Sequence, residues 1–331
     1  MKVTKPPRVL AVAAASLLAL SAAACGAPDS GSGNDEALSV GVFLPGSIND
    51  TGFMQSGFLG FQRVQEKYGD RVDASYVEQV AAADYQQALQ RFASQNDLVI
   101  SVGGQTDADV RKVAPQFPDV KFVEIGGPSD AEPMPNLAYY DPQQAEAEFV
   151  SGAAAAASSK KGTVGFVGGV ELPAIVNAAN AFGNGARFAR PDVKVLAPQY
   201  VGDFNDPAKA KQAAATAYAA GADVLSQIVN LGKQGMEQAA KESGNRMSGG
   251  PIPGDCANST YTGFVRTDIG TEIEYAVSSV LDGTWKAEQV PFGLTSDKGG
   301  TDYIVCTDEP AVATAVSDAK TAIVSGSAKP Y

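Results

Sequence analysis

The sequence predicts an α/β protein made of two similar lobes, each with a parallel sheet flanked by helices. Short apolar runs typical of buried strands alternate along the chain with segments of helical periodicity. This alternation favours parallel strands with helices on both faces of the sheet. The pattern restarts near residue 145, and a length of 331 residues agrees with two units of about 150 residues each.

The first series of elements begins with an apolar run, LSVGVFL at 38–44, that ends at Pro45-Gly46. Asn49 or Asp50 can cap the helix that follows, because their short polar side chains accept hydrogen bonds from free backbone N–H groups. The other elements of this series are expected in this order: a helix at 52–68, a strand at 71–78, a helix at 83–95, a strand at 98–103, a short helix at 107–117 and a strand at 120–126.

The second series repeats the plan of the first with little sequence identity. Its elements are expected in this order: a helix at 145–158, a strand at 162–169, a helix at 172–188, a strand at 193–201, a helix at 207–220, a strand at 222–229, a helix at 232–243, a Gly/Pro/Ser/Asn-rich loop at 244–260, a strand at 262–268 that could cross back, a helix at 270–282, strands near 290–294 and 301–306, and a helix at 309–324. We expect residues 38–140 with about 262–288 in lobe 1, and residues 141–261 with about 289–331 in lobe 2.

The N-terminus has the features of an export signal followed by an anchor. Residues 1–24 combine a basic start with an apolar segment and end in small residues. The apolar segment is short for a membrane-spanning helix, which needs about 20 residues. Cys25 follows three alanines and precedes a Gly/Ser/Asp-rich tether that extends to residue 37, and this arrangement resembles a bacterial lipobox. We therefore expect a chain lipid-anchored at Cys25 on the extracytoplasmic face of the cell membrane; the alternative is a plain secretory signal.

The composition excludes several classes of function. The chain contains no histidine, which removes Ser-His-Asp hydrolases, Cys-His proteases and His-ligated metal sites. The net charge of −12 argues against nucleic acid as a partner, because binding needs cations that displace phosphate counterions. Cys256 and Cys306 are expected to form a disulfide outside the cytoplasm, with two buried thiols as the alternative. We expect no metal and no cofactor.

Two open α/β lobes predict a cleft, with a ligand outside the carboxyl ends of the strands. The first such turn carries Asn49, Asp50, Phe53 and Gln55, although Asn49 or Asp50 could serve only as a cap and Phe53 could belong to the core. Phe204 occupies the corresponding turn of the second lobe, and two facing rings could hold a planar base. The further candidate ligand-binding residues, from other strand ends and loops, are Gln105, Asn230, Asp255 and Arg266.

The chain resembles the basic membrane lipoproteins, which include purine nucleoside receptor lipoproteins of ABC importers. The resemblance is carried by SVGVFLPGSINDTGFMQSGFLGF near the start, by DLVISVGG at 97–104, by KGTVGFVGGVELPAI at 161–175 and by RPDVKVLAPQYVGDFNDPAKAK at 190–211. It covers nearly all of the chain after the signal. It implies a type I periplasmic-binding-protein fold and a solute receptor that delivers its ligand to an ABC permease. We expect a monomer without enzymatic activity.

The resemblance also implies roles for individual residues. Phe53 and Phe204 match the two aromatic side chains that sandwich the base, Asp255 lies near the family's ribose-binding carboxylate, and Arg266 stands where the family usually has Lys. The chain departs from the family at two strand ends, where Leu44 and Gly126 replace Asp. The loss of these acceptors makes a sugar-reading site less well supported than the aromatic pair.

Three readings of the function therefore stay open. A solute receptor for a purine nucleoside or base ranks first, and a free nucleobase, a modified nucleoside or another flat solute also fits an aromatic pair. An extracytoplasmic sensor, or a binding protein for an unrelated small molecule, is the second reading. A nucleoside-processing enzyme is the least favoured, because the acidic residues at the strand ends are scattered rather than clustered.

Overall fold

A computed structural model describes residues 37–331. The expected signal at 1–24, Cys25 and all but the last residue of the tether lie outside the described residues. The strands are β1 Leu38–Leu44, β2 Val72–Glu78, β3 Leu98–Val102, β4 Lys121–Ile125, β5 Leu137–Asp141, β6 Thr163–Gly168, β7 Lys194–Val195, β8 Gln199–Tyr200, β9 Val224–Ile228, β10 Arg246–Gly249, β11 Tyr261–Thr267, β12 Gln289–Pro291 and β13 Thr301–Val305. The helices are α1 Phe53–Tyr68, α2 Tyr85–Ala93, α3 Asp107–Val113, α4 Gln144–Ser158, α5 Pro173–Ala189, α6 Pro207–Ala219, α7 Lys233–Ser243, α8 Ile269–Leu281 and α9 Pro310–Val324.

The strands form two sheets. The first has the order β12-β5-β4-β3-β1-β2, and all its pairs are parallel. The second has the order β13-β11-β10-β9-β6-β7, with β8 also paired to β6, and its β11–β13 pair is antiparallel. The prediction of two α/β units with parallel sheets flanked by helices is confirmed.

Strand β1 shows why helices cover both faces of the first sheet. Val40, Val42 and Leu44 point to one face and pack in the same buried cluster as residues of α1 and α8. Phe43 points to the other face and packs with α2 and α3. Since successive side chains of a strand alternate between faces, an unbroken apolar run produces a strand that is buried on both sides.

The Ala-rich helix α4 crosses α5 at close range. A Cβ atom added at Gly152 would overlap the carbonyl oxygen of Phe182, and one added at Gly185 would overlap that of Phe149. Only glycine leaves room for backbones at this distance. The small residues of α4 therefore allow it to lie buried between α5, α9 and the second sheet.

The order of the late strands differs from the predicted division of the chain. The segment expected to cross back at 262–268 is strand β11, which pairs with β10 and β13 in the second sheet. Conversely, β12 pairs with β5 in the first sheet, although residues from 289 onward were expected in lobe 2. The packing explains this placement, because Tyr261 and Phe264 of β11 belong to the second core while Val290 of β12 belongs to the first.

Two strands were not predicted, and one was predicted too long. β10 lies in the segment 244–260 that was expected to be a loop, and β5 was not expected at all. The segment expected as one strand at 193–201 forms the two short strands β7 and β8. Among the described residues no helix combines the length and the apolar character that a membrane crossing requires.

Candidate functional site

A cavity of about 270 Å³ lies between the two sheets. Its walls come from turns that follow β3, β4, β5 and β9 and from the start of α5. In open α/β sheets a ligand binds just outside the carboxyl ends of the strands, where such turns lie. The residues that line it are Phe53, Met54, Gly103, Gly104, Gln105, Gly126, Gly127, Ser129, Asp141, Pro142, Gln143, Gln144, Ala145, Glu146, Leu172, Ala174, Ile175, Asn177, Phe204, Ile228, Asn230, Lys329, Pro330 and Tyr331.

Two aromatic rings from different halves of the molecule line this cavity. Phe53 is the first residue of α1, and its ring packs on Gly126, where an added Cβ would lie 3.1 Å from the ring Cζ atom. The ring of Phe204 packs on Gly169 so closely that an added Cβ would overlap it. Gly126 stands where the resembling family often has Asp, and a larger residue there would displace the Phe53 ring.

The polar residues just before α1 and in its first turn stabilise this turn rather than line the cavity. Asp50 is buried and accepts hydrogen bonds from the backbone N–H groups of Gly52 at 2.8 Å and Gln55 at 3.0 Å. Burial raises its pKa, while these bonds and the charge of Lys233 oppose the rise. Gln55 accepts from the Thr51 N–H at 3.0 Å. Neither these residues nor the exposed Asn49 contributes to the cavity lining.

The other candidates from the sequence divide between the cavity and the rest of the surface. Gln105 and Asn230 line the cavity. Asp255 is exposed, and its carboxylate accepts from the Ala257 N–H at 2.8 Å. Arg266 lies on β11 outside the lining, and within residues 37–331 its buried Nε has no hydrogen-bond partner. The structure therefore brings neither Asp255 nor Arg266 to the cavity.

Several polar residues of the cavity wall were not identified from the sequence, among them Asp141, Glu146 and Asn177. Asp141 ends β5, Glu146 lies in the first turn of α4 and Asn177 lies in the second turn of α5. The signal for Asp141 was present, because LAYYD is an apolar run that ends in a carboxylate. It was missed because strand β5 itself was not predicted.

A lysine from the second half approaches the turn before α1. Lys233 begins α7, and its Nζ donates to the carbonyl oxygens of Thr51 at 3.0 Å and Gly250 at 3.2 Å. Burial lowers its pKa, and the charges of Asp50 and Glu237 oppose this shift. Asn230 makes a second connection, because its Oδ1 accepts from the Phe53 N–H at 3.3 Å.

Cys256 and Cys306 form a disulfide, with their Cα atoms 4.8 Å apart. The bond joins the loop after β10 to the end of β13, because Cys306 directly follows that strand. It lies outside the cavity lining.

Comparison with known proteins gives relatives over most of the chain. The chain is 32% identical over 266 residues to a purine-binding protein of Brucella abortus, a match that covers 78% of this chain and 73% of that protein. It is 26% identical to the ABC transporter nucleoside-binding protein BmpA of Lactococcus lactis, over 96% of this chain and 97% of the relative.

The fold is that of solved solute-binding proteins. A crystal structure of an ABC transporter solute-binding protein from Aeropyrum pernix K1 superposes with a TM-score of 0.75 at 22% identity, covering 88% of this chain and 92% of the other. The sequence model of the Bmp family, described as ABC transporter substrate-binding protein PnrA-like, matches residues 37–310. The chain therefore belongs to the Bmp family of ABC transporter substrate-binding proteins.

Proposed function

We propose that this protein is a lipid-anchored receptor that binds a purine nucleoside, or a related flat solute, and delivers it to an ABC permease. The observation that carries the proposal is the cavity lined by Phe53 and Phe204, one ring from each half of the molecule. An aromatic ring offers every purine a π face, and stacking is worth about 1–3 kcal/mol per base. Amide side chains of Gln105, Asn177 and Asn230 supply donors and acceptors beside the rings.

The names of the relatives support this class of solute. The Brucella protein is named for purine binding and the Lactococcus protein for nucleoside binding. The position of the cavity between two sheets supports closure of the halves around a bound solute by a hinge motion. A solute shifts the protein towards the closed form only as far as it binds that form more tightly.

The anchor and the delivery step rest on the start of the sequence and on the family. A basic, apolar and then small-residue segment before Cys25 directs export, and acylation of the cysteine would hold the receptor near its permease. Mass spectrometry of the membrane-extracted protein tests this part. An N-terminal Cys25 that carries acyl chains is expected, and an unmodified N-terminus at another residue would contradict the anchor.

A thermal-shift screen of the mature protein in detergent tests the solute class. The panel contains purine and pyrimidine nucleosides, free bases, sugars and amino acids. A ligand at 100 times its Kd adds about 2.7 kcal/mol to the free energy of unfolding, which raises the Tm of a chain of this size by several degrees. A rise with purine compounds is expected. A rise with sugars or amino acids alone would overturn the proposal.

A further inference from the structure

Three residues that follow the last helix form part of the cavity wall. Helix α9 ends at Val324, and residues 329–331, which we call the strap, line the cavity. Every other residue that the described chain contributes to the lining falls between Phe53 and Asn230. Lys329 and Tyr331 line the cavity and are also exposed to solvent. The strap therefore lies at the mouth of the cavity, and it comes from a distant part of the chain.

A turn after α9 attaches the start of the strap to the second half of the molecule. Gly326 has a φ of 72°, a conformation that suits glycine, and its N–H donates to the carbonyl oxygen of Ile323 at 3.0 Å. The Ala328 N–H donates to the carbonyl oxygen of Ala322, also at 3.0 Å. The Ala328 side chain packs against the apolar cluster that α9 shares with α4 and β13. The chain thus leaves the second half only after residue 328.

The middle of the strap is stiff and is held by α5. Pro330 has a fixed φ, and it restricts the preceding Lys329 to extended conformations. The Asn184 side-chain amide donates to the Pro330 carbonyl oxygen at 3.0 Å. Asn184 follows the cavity residue Asn177 by two helical turns, so both lie on one face of α5. The strap is therefore guided along the helix face that leads to the cavity.

The end of the strap reaches the first half of the molecule. The Tyr331 hydroxyl lies 3.5 Å from the Ser129 hydroxyl, and either group can donate. This distance is at the outer limit of a hydrogen bond. Ser129 belongs to the turn after β4, and the same turn contains Gly126, on which the Phe53 ring packs. Tyr331 thus connects the second half to the turn that supports one of the two cavity rings.

The two attachments of the strap differ in strength. The second half holds it through buried packing at Ala328 and through hydrogen bonds of ordinary length. The first half holds it through one long contact with Tyr331, whose side chain is 54% exposed. A segment with few buried contacts opens at a low cost in free energy. Separation of the halves would therefore break the contact with Ser129 and leave the strap on the second half.

We propose that residues 329–331 are a strap that closes the mouth of the cavity and retains the bound solute, with Tyr331 as the residue that latches it to the first half. This inference goes beyond the proposed function, because it applies to any solute that fills the cavity. Lids of this kind often limit the rate at which a bound molecule leaves. The dissociation rate of the solute is therefore the quantity that the strap controls.

The test measures the release of radiolabelled adenosine and guanosine from the mature protein in detergent, after addition of excess unlabelled nucleoside. One variant ends at Ala328 and lacks the strap, and Tyr331→Ala removes only the ring. Dissociation is expected to be about 10-fold faster without the strap and about 5-fold faster in Tyr331→Ala, since each loses contacts at the mouth. Association rates should change less than dissociation rates, as is usual among variants of one site.

Val324→Ala is the matched control. Val324 is exposed at the end of α9 and lies outside the cavity lining, so this variant should release both nucleosides at the wild-type rate. The Tm of each variant without solute checks that it folds. If the variant that ends at Ala328 is unfolded, Tyr331→Ala alone decides the question.

A double-mutant cycle tests the latch itself. Ser129→Ala and Tyr331→Phe each remove one hydroxyl and should each speed dissociation by about 3-fold, the effect of a neutral hydrogen bond. Because the two hydroxyls act on each other, the double variant should dissociate no faster than either single variant. Additive effects would show that the two side chains act separately, and they would overturn the role given to Tyr331.

Two further outcomes would overturn the inference. Wild-type dissociation rates in both strap variants would show that the segment does not retain the solute. Faster association with unchanged dissociation would show that it obstructs the cavity instead. If neither adenosine nor guanosine binds the wild-type protein, the proposed function fails by itself. The same rates are then measured with the compound of the thermal-shift panel that raises the Tm most, and the same outcomes apply.

Discussion

The ammonium group of Lys233 lies 3.0 Å from the carbonyl oxygen of Thr51. This bond joins a helix of the second half to the turn before the first helix, and the Asn230–Phe53 hydrogen bond is a second connection between the two halves. Lys233 also donates to the carbonyl oxygen of Gly250 in its own half, and this second hydrogen bond fixes the position of the ammonium group next to Thr51. The two halves are therefore joined beside the cavity by protein atoms alone.

Removal of this connection is expected to open the protein. Lys233→Met keeps the length of the side chain and removes both hydrogen bonds. A hydrogen bond to a charged group contributes about 1.5–3 kcal/mol to stability. The loss of the bond to Thr51 shifts the equilibrium towards the open form. Small-angle X-ray scattering of the ligand-free variant should give a larger radius of gyration than the wild type.

Lys241→Met is the control for this measurement. Lys241 lies on the same helix, but it is exposed and pairs with Glu237 within that helix. The scattering curve of this variant should superpose on that of the wild type. If the scattering curve of Lys233→Met also superposes on that of the wild type, the contact with Thr51 does not hold the halves together.

The two rings are expected to contribute separately to solute affinity. Phe53→Ala and Phe204→Ala each remove one stacking face, worth about 1–3 kcal/mol or about 5- to 150-fold in Kd. Calorimetry with the purine compound found in the screen measures the loss. Phe188→Ala, an exposed ring on α5 outside the cavity lining, should leave the Kd unchanged, whereas unchanged affinity in both cavity variants would exclude the aromatic pair.

The sequence indicated most of the fold because the strands carry strong local signals. An apolar run such as β1, buried on both faces, has few alternatives to a central strand. β10 was not predicted because Arg246–Gly249 lies in a segment rich in Gly, Pro and Ser, a composition that favours a loop. Its burial becomes visible only in three dimensions, where the Ser151 hydroxyl donates to Ser248 at 3.0 Å. Which of the two sheets β11 joins likewise depends on long-range contacts.

The cavity could be predicted in part for a similar reason. Phe53 and Phe204 follow strand ends, and the connection between strand ends and ligand sites is general. The polar residues of the first turn were harder to interpret, because Asp50 as a helix cap and Asp50 as a ligand contact have the same sequence pattern. Asp141 required knowledge of β5, and Lys233 required knowledge of which turns face each other.

The disulfide is expected to stabilise the loop region of the second sheet. Cys256 and Cys306 are separated by 50 residues in sequence. In the chain-entropy model, closing a loop of this size raises the free energy of the unfolded chain by about 4 kcal/mol. The variant Cys256→Ser/Cys306→Ser should therefore have a lower Tm than the oxidised wild type. The addition of a reducing agent should lower the Tm of the wild type and leave the variant unchanged; equal melting of variant and wild type would show that the bond contributes no stability.

Buried carboxyl groups predict that the protein loses stability as the pH rises. Burial raises the pKa of Glu148 from 4.5 to about 8, although hydrogen bonds from the Ser226 and Ser151 hydroxyls oppose the rise. Between these two values the folded protein holds a proton that the unfolded chain releases. The free energy of unfolding therefore falls as the pH rises through this window. Glu124 and Glu272 are also fully buried with raised pKa values, and they act in the same direction.

Glu148→Gln isolates the contribution of one group. The glutamine oxygen can still accept from the Ser226 hydroxyl, which lies 2.7 Å from the glutamate oxygen, and the amide cannot ionise. The Tm of the variant, measured from pH 5 to pH 8.5, should fall less steeply than that of the wild type, so that the variant gains relative stability at the alkaline end. Glu66→Gln, at an exposed position on α1, should keep the wild-type slope. Parallel curves for Glu148→Gln and the wild type would mean that Glu148 does not take up a proton on folding in this window, because a group with equal proton occupancy in both states adds nothing to the slope.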